Sequence, residues 1–233
     1  MNTAVPQTEF SMSQIERIGS DSFRMLRVSL AAGEVLVVEP GAMASQHPNI
    51  ECETSINGGI IQGLISKFLG KESFFVNYYR NPKAQGSEIH FTQPTPGDIV
   101  ERNLQNETIF IERGSFIARS PTVRASVSWA GFASLIAGEG LFRLCYQGTG
   151  KLWYGAYGAV IERDIQGDLI VDSGHLLSYP PTVKLKLTLA GGLFSSVFSG
   201  EGFVLRLSGF GRIQLQTRSV KGLAQWLNPR FWG

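Results

Sequence analysis

Most of what this 233-residue sequence lacks removes a functional class. No apolar run approaches the roughly 18 residues of a membrane span. The N-terminus, MNTAVPQTEFSMSQIER, has no basic start, no apolar block and no arginine before Arg17. Neither a secretion signal nor a mitochondrial presequence is read there, and a cytoplasmic protein is expected. Charged residues make up only 17% and the net charge is +2, too small a surplus to imply a polyanionic partner by itself. There are two cysteines, Cys52 and Cys145, with neither disulfide nor metal spacing. Both lie in alternating apolar segments and are expected to be buried free thiols in a reducing compartment.

Catalytic signatures are equally scarce. No G-x-x-x-x-G-K-[ST] string and no G-x-S-x-G elbow occurs. His47, His90 and His175 stand alone, outside any H-x-H or H-E-x-x-H pattern. No metal, cofactor or catalytic residue is assigned on these grounds. The glycine-rich stretch FSGEGFVLRLSGFGRIQLQ, residues 198–216, leads into strands, whereas a dinucleotide fingerprint must open a helix.

Glycine is abundant, at 27 residues, and it recurs in a frame. LVVEPGAMASQHPNIECET (36–54), IFIERGSFIARSPTVRASV (109–127) and LIVDSGHLLSYPPTVKLKL (169–187) align without gaps. Each has a short apolar strand, an acid and a glycine (Gly41, Gly114, Gly174), then a proline seven residues on (Pro48, Pro121, Pro181). Glycine there suits a turn with positive φ, and proline marks a strand start or edge. Further along, Gly138-Glu139-Gly140 matches Gly200-Glu201-Gly202, with Glu72 in the same place of a weaker copy. Those glutamates either cap their own turns or converge on an axis.

The unit is about 60 residues long, mostly β, and occurs three times. VKLKLTL (183–189), FVLRLS (203–208) and RIQLQTR (212–218) alternate with period two, FRMLRVSL (23–30) reads as a further strand, and SVKGLAQWLNPRFWG reads as a closing helix ended at Pro229. The expected fold is all-β: three repeats of a β-sandwich or double-stranded β-helix unit about a pseudo-threefold axis, with short helical turns. The expected boundaries are 20–100, 101–166 and 167–220, followed by a helix and tail at 221–233.

These frames, the apolar turns before Gly-Glu-Gly and the closing TRSVKGLAQWL resemble the bacterial branch of the altered-inheritance-of-mitochondria protein 24 family, over roughly residues 20–228. The resemblance implies a fold grouped with the tryptophan RNA-binding attenuation protein (TRAP-like). Mitochondrial relatives are linked to inner-membrane organisation. It brings no catalytic residues.

Two surfaces are candidates for binding. The first is the set of compact apolar segments before each Gly-Glu motif: Leu64, Ile65, Phe68 and Leu69; Phe132, Leu135 and Ile136; Leu193, Phe194, Val197 and Phe198. Their spacing places them on one face of a short helix, as core caps, an oligomer interface or a membrane-touching tip. The second follows from a charge gradient. Residues 1–100 hold seven Lys/Arg and ten Asp/Glu, whereas 169–233 hold seven Lys/Arg against Asp172 and Glu201. Lys184, Lys186, Arg206, Arg212 and Arg218 then form an anion-facing set or a solvated face guarding a strand edge. Trp153, Tyr154 and Tyr157, the aromatics that RNA stacking would want, lie in the second unit instead. The expected function is a non-enzymatic, self-associating scaffold, a homo-oligomer with a protein or membrane-surface partner. An RNA-binding module and an enzyme with clustered carboxylates are the alternatives.

Overall fold

The structure is a computed structural model that describes residues 14–56, 75–83, 86–129, 142–189 and 203–231. The candidate association residues from Leu64 to Phe198, and Glu72, Glu139 and Glu201, lie outside the described residues.

The chain is mostly β. Its strands are β1 (Gln14–Ile18), β2 (Met25–Leu30), β3 (Val35–Val38), β4 (Met43–Gln46), β5 (Glu51–Ile56), β6 (Phe75–Arg80), β7 (Ser87–Phe91), β8 (Ile99–Ile111), β9 (Phe116–Arg119), β10 (Val123–Trp129), β11 (Phe142–Gly155), β12 (Val160–Asp172), β13 (Leu176–Tyr179), β14 (Val183–Leu189) and β15 (Phe203–Gln216). One helix, α1 (Val220–Phe231), follows. The strands form two antiparallel sheets. One has the order β1-β2-β7-β4; the other runs β12-β15-β13-β8-β11-β9-β3-β6-β5, with β10 added on β11 and β14 on β15. The expected boundaries at 100/101 and 166/167 would cut β8 and β12.

Turn chemistry explains where the short strands begin. Pro48, Pro121 and Pro181 each occupy the second position of a turn, closed by Ile50 N–H to His47 O, Val123 N–H to Ser120 O and Val183 N–H to Pro180 O at 3.0–3.1 Å. Proline pre-sets the φ needed there. Gly41 and Gly114 have φ of 88° and 78° at the third position of turns closed by Ala42 N–H to Glu39 O and Ser115 N–H to Glu112 O. A side chain would strain that left-handed backbone. Gly174 departs from this expectation. It sits in a 3-10 turn, Ser173–His175, and its N–H is capped by Asp172 Oδ1 at 2.8 Å.

Two other expectations are corrected. Residues 203–208 and 212–218 are not separate strands: β15 runs unbroken to Gln216 because β12 pairs along it from Val204 to Gln216, and Arg218 lies beyond it. The helix does not stop at Pro229 but continues to Phe231. In the last turn the missing N–H costs one bond, and the Arg230 guanidinium, 4.0 Å from the Trp226 ring centroid and hydrogen-bonded to Trp226 O, braces that turn.

The core falls into three clusters. The first gathers Leu26, Val28 and Leu30 of β2, alternating inward, with Ile89, Phe91 and Tyr79. The second centres on Leu104, Ile111, Tyr146, Leu152 and Tyr154, and the third on Ile165, Val183, Leu205, Leu207 and Ile213. Each is tied to the next by a borrowed residue. Trp153 of β11 belongs to the first, and Leu177 of β13 to the second. Phe110 of β8 packs on the third, its ring stacked on Tyr179 at 5.0 Å. Near the ends of β8 and β12, Phe23, Gly97 and Gly158 approach through parallel bridges, Phe23 to Gly97 and Gly97 to Gly158. A Cβ on Gly97 would lie 2.0 Å from Ala156 O, so only glycine permits that crossing.

Candidate interaction surfaces

β12, β15 and β14 form a three-stranded ribbon with one outward face. Opposed pairs share a face: Lys184 with Ser208, Lys186 with Arg206, Asp168 with Ser208, Gln166 with Phe210 and Asp164 with Arg212. The expected alternation holds along β14, where Lys184 and Lys186 are exposed and Val183 is buried. The expected basic surface is largely compensated. Arg206 Nη2 meets Asp168 Oδ2 at 2.5 Å. Arg212 grips Asp164 with Nε and Nη2 at 3.0 and 3.2 Å and reaches Glu162 at 3.5 Å. The Arg212 hydrogen bonds hold the Asp164 carboxyl below the usual range. Of the five cations, Lys184 and Lys186 keep an exposed, same-sided position without an ion pair among the described residues, and Arg218 bonds Thr217 O. Two cations of the basic third segment are thus offset by acids of β12, which lies beside β15.

Gln214 and Gln216 continue the alternation of Arg212, yet both are buried. Here β15 pairs with β13, and Tyr154 of β11 reaches Gln214. Gln214 Oε1 accepts from Tyr154 Oη at 2.5 Å and from Ser178 Oγ at 2.8 Å, while its Nε2 donates to Glu162 Oε1 at 3.0 Å. Gln216 Nε2 donates to Glu112 Oε2 at 2.6 Å and Gly174 O at 2.8 Å, and its Oε1 accepts from Tyr157 N–H. Burial pushes the Tyr154 hydroxyl pKa up. Tyr154, Ser178 and Gln214, but not Gln216, line a cleft of about 490 Å³ together with Arg102, Glu107, Glu162, Phe210 and Arg212. Arg102 is already ion-paired with Glu107 at 3.2 Å. The arrangement holds its polar groups in hydrogen bonds and ion pairs to one another. Sequence reasoning missed it, because a glutamine in a strand reads as exposed until its neighbour is known.

The remaining expectations divide. Trp153 and Tyr154 are core residues, with Trp153 Nε1 bonded to Glu101 Oε2 at 3.1 Å, and offer no stacking platform. The cysteines are not buried as expected: Cys52 is exposed and Cys145 half-buried, with burial pushing its thiol pKa up. Cys52 sits on β5, the edge strand of its sheet, which leaves it open to solvent. The histidines are separate: His90 Nδ1 meets Ser45 Oγ, His47 accepts from Asn49 N–H and His175 meets Gln216 O. Among the described residues no three His, Cys, Asp or Glu are grouped to hold a metal. No helix among them is long and apolar enough to cross a membrane.

Among the described residues, a further exposed apolar surface lies on the closing helix, which the sequence marked as a helix but not as a surface. Helix α1 buries none of its side chains. Trp226 is 55% exposed and Phe231 72%, with Val220 and Leu223 also in solvent. At 100° per residue these side chains share one broad stripe with Leu227. The helix contains Lys221 and Arg230 and no acid.

The family model described as mitochondrial biogenesis AIM24 matches residues 15–218. The chain is also similar to the uncharacterized protein M6_Spy0233 of Streptococcus pyogenes serotype M6, 22% identical over 214 residues, covering 88% of this chain and 86% of that protein. Among solved structures it is similar to the crystal structure of protein SPYM3_0169 from Streptococcus pyogenes. The TM-score there is 0.77 at 22% identity, covering 94% of this chain and 99% of the other. That likeness establishes the fold.

Proposed function

The chain belongs to the mitochondrial biogenesis AIM24 family, and from that premise we propose that it is a non-enzymatic scaffold that self-associates and presents a repeated β surface to a protein or membrane-surface partner. The observation that carries this reading is α1, a helix that buries none of its side chains and leaves Val220, Leu223, Trp226 and Phe231 exposed. An amphipathic helix that carries cations, no acid and exposed aromatics suits an interface with an apolar or anionic surface.

The finer architecture proposed is three copies of one unit about a pseudo-threefold axis, the TRAP-like arrangement. The units are β2 to β7, β8 to β11 and β12 to β15. Their ladders support it: Val38 opposite Asn77, Ile111 opposite Leu144 and Val171 opposite Leu205 occupy matching places. So do the three proline turns, and the bridges at Phe23, Gly97 and Gly158 fit an axis. Each apolar segment of the sequence then joins two antiparallel partners, β5 to β6, β10 to β11 and β14 to β15. Ion pairing at Arg206 and Arg212 and burial of Trp153 and Tyr154 do not support the RNA alternative.

The test uses the full chain and a Leu223→Ser, Trp226→Ser, Phe231→Ser triple variant. Native mass by light scattering and flotation with vesicles containing anionic lipid are the readouts. The wild type is expected above monomer mass or bound to vesicles, with the variant losing one of these at unchanged circular dichroism. A wild type that is monomeric, floats with no vesicle and enriches no partner overturns the reading.

A further inference from the structure

Three short strands follow the three glycine turns, and two of them are fully enclosed. All four residues of β9 and all four of β13 are buried. β9 is held between β11 and β3, and β13 between β15 and β8. The outer contacts of the two match. Val38 opposes Ala118 and Val37 opposes Arg119; Ile111 opposes Ser178 and Phe110 opposes Tyr179. Glu39 N–H donates to Ile117 O at 2.9 Å, and Glu112 N–H donates to Leu177 O at 2.8 Å. These are the same ladder built twice.

The third short strand, β4, has only its inner partner, β7, among the described residues. Met43, Ala44 and Ser45 are exposed. The strand that would complete the pattern is β12, which likewise has β15 on one side and nothing on the other among the described residues. Ile170 stands where the gap-free alignment puts Val37 and Phe110. Val37 is 0% exposed, Phe110 is covered by Tyr179, and Ile170 is 67% exposed. One chain therefore carries both halves of the contact it makes twice internally and leaves them unjoined, so the ring that the pseudo-threefold arrangement would close stands open at this junction among the described residues.

We infer that β4 of a second copy adds antiparallel to the outer edge of β12, with Gln46 opposite Ile170 and Ser45 opposite Val171. Asp172 N–H then donates to Ala44 O, as Glu39 and Glu112 donate at the closed junctions. The inference rests on the three-unit reading, since the register comes from it. The chemistry of the partner is set by the edge itself: an unpaired ladder with an apolar side chain takes an extended strand, and β4 is the strand whose register fits. Within the proposed contact, at Leu169, Ile170 and Val171, β12 carries no proline and no charge to blunt it. Because two different surfaces meet, the contact is head-to-tail and builds a ring or an open chain of copies.

The test uses two single-cysteine variants of the full chain, Gln46→Cys and Ile170→Cys, each in a Cys52→Ser, Cys145→Ser background because Cys52 is exposed and Cys145 only half-buried. Opposed residues of a hydrogen-bonded antiparallel pair stand about 5.5 Å apart at Cα, within disulfide range. Mixing the two under mild oxidation is expected to give a mixed disulfide dimer well above what either gives alone. The double variant is expected to give ladders of linked chains. Without cross-links, Ile170→Lys, at an exposed position, is expected to lower the native mass with unchanged circular dichroism. A double variant that closes on itself at monomer mass overturns the inference, since the junction then closes within one chain. An oligomer that survives Ile170→Lys and yields no mixed disulfide overturns the β12–β4 contact and leaves the scaffold reading standing. A chain that is monomeric throughout and yields no mixed disulfide also overturns the contact, and vesicle flotation then decides the scaffold reading separately.

Discussion

β15 presents one alternating face to two surroundings. Along its first part Arg206 and Phe210 stand in water, and Arg206 meets Asp168 across the ribbon. Four residues beyond Phe210 the same face, at Gln214, is buried on Tyr154, Ser178 and Glu162. The register with β12 runs on without a shift through Gly209 and Gly211, whose φ are 126° and 139°, while the partner on the other side changes from β14 to β13. A polar side chain on an alternating strand is a surface residue or a structural staple according to what packs across it, and the cost of losing it differs accordingly.

The largest effect expected on this contrast is from alkali. Burial pushes the Tyr79 hydroxyl up to about 12 and raises those of Tyr146 and Tyr154 as well. A raised folded-state pKa gives stability that is whole below the ordinary tyrosine value near 10 and is lost as pH climbs toward the folded value. The fold is therefore expected to unravel between about pH 10 and 12, with tyrosinate absorbance and circular dichroism moving together. Smooth tyrosinate formation in a chain that stays folded would show that these hydroxyls meet water after all.

Next in size is Gln214→Ala. It strips one partner from the buried Tyr154 and Ser178 hydroxyls and from exposed Glu162, and about 2 kcal/mol of stability is expected to go in urea unfolding. Tyr154→Phe should cost less, about 1 kcal/mol, since Ser178 still reaches Gln214. Equal costs for the two variants would mean that the hydroxyl, not the amide, organises the cleft.

Phe210→Ser on the open stretch is expected to leave stability within about 0.5 kcal/mol of wild type. Arg206→Ala is smaller again: a shift in unfolding midpoint hardly above error, visible at low salt and gone at high salt. A marked loss from either would mean that this face is covered in solution, and would make the ribbon itself an interface.

Much of the architecture was legible in the residues. The G-x6-P frame located three turns, and the structure shows why proline stands at the second position of each. Alternation in 183–189 and 203–208 placed strands and the inward side of β14. Two strand ends and the helix end were misplaced, since Gly209, Gly211 and Pro229 are local stop signals that a long partner strand or a bracing arginine overrides. For the candidate sites, the cations were found with their direction but not their partners.

The sequence by itself determined the local units: which residues turn, which alternate, and that one short pattern returns three times. Backbone sterics and side-chain period act over a few residues and leave a readable trace there. Only the tertiary structure decided what faces what. It set Asp164 and Asp168 against Arg212 and Arg206, enclosed Gln214 and Gln216, and left Ile170 and the stripe of α1 in water. Those outcomes depend on contacts between residues tens of positions apart, and a side chain carries no mark of the distant strand that will cover it.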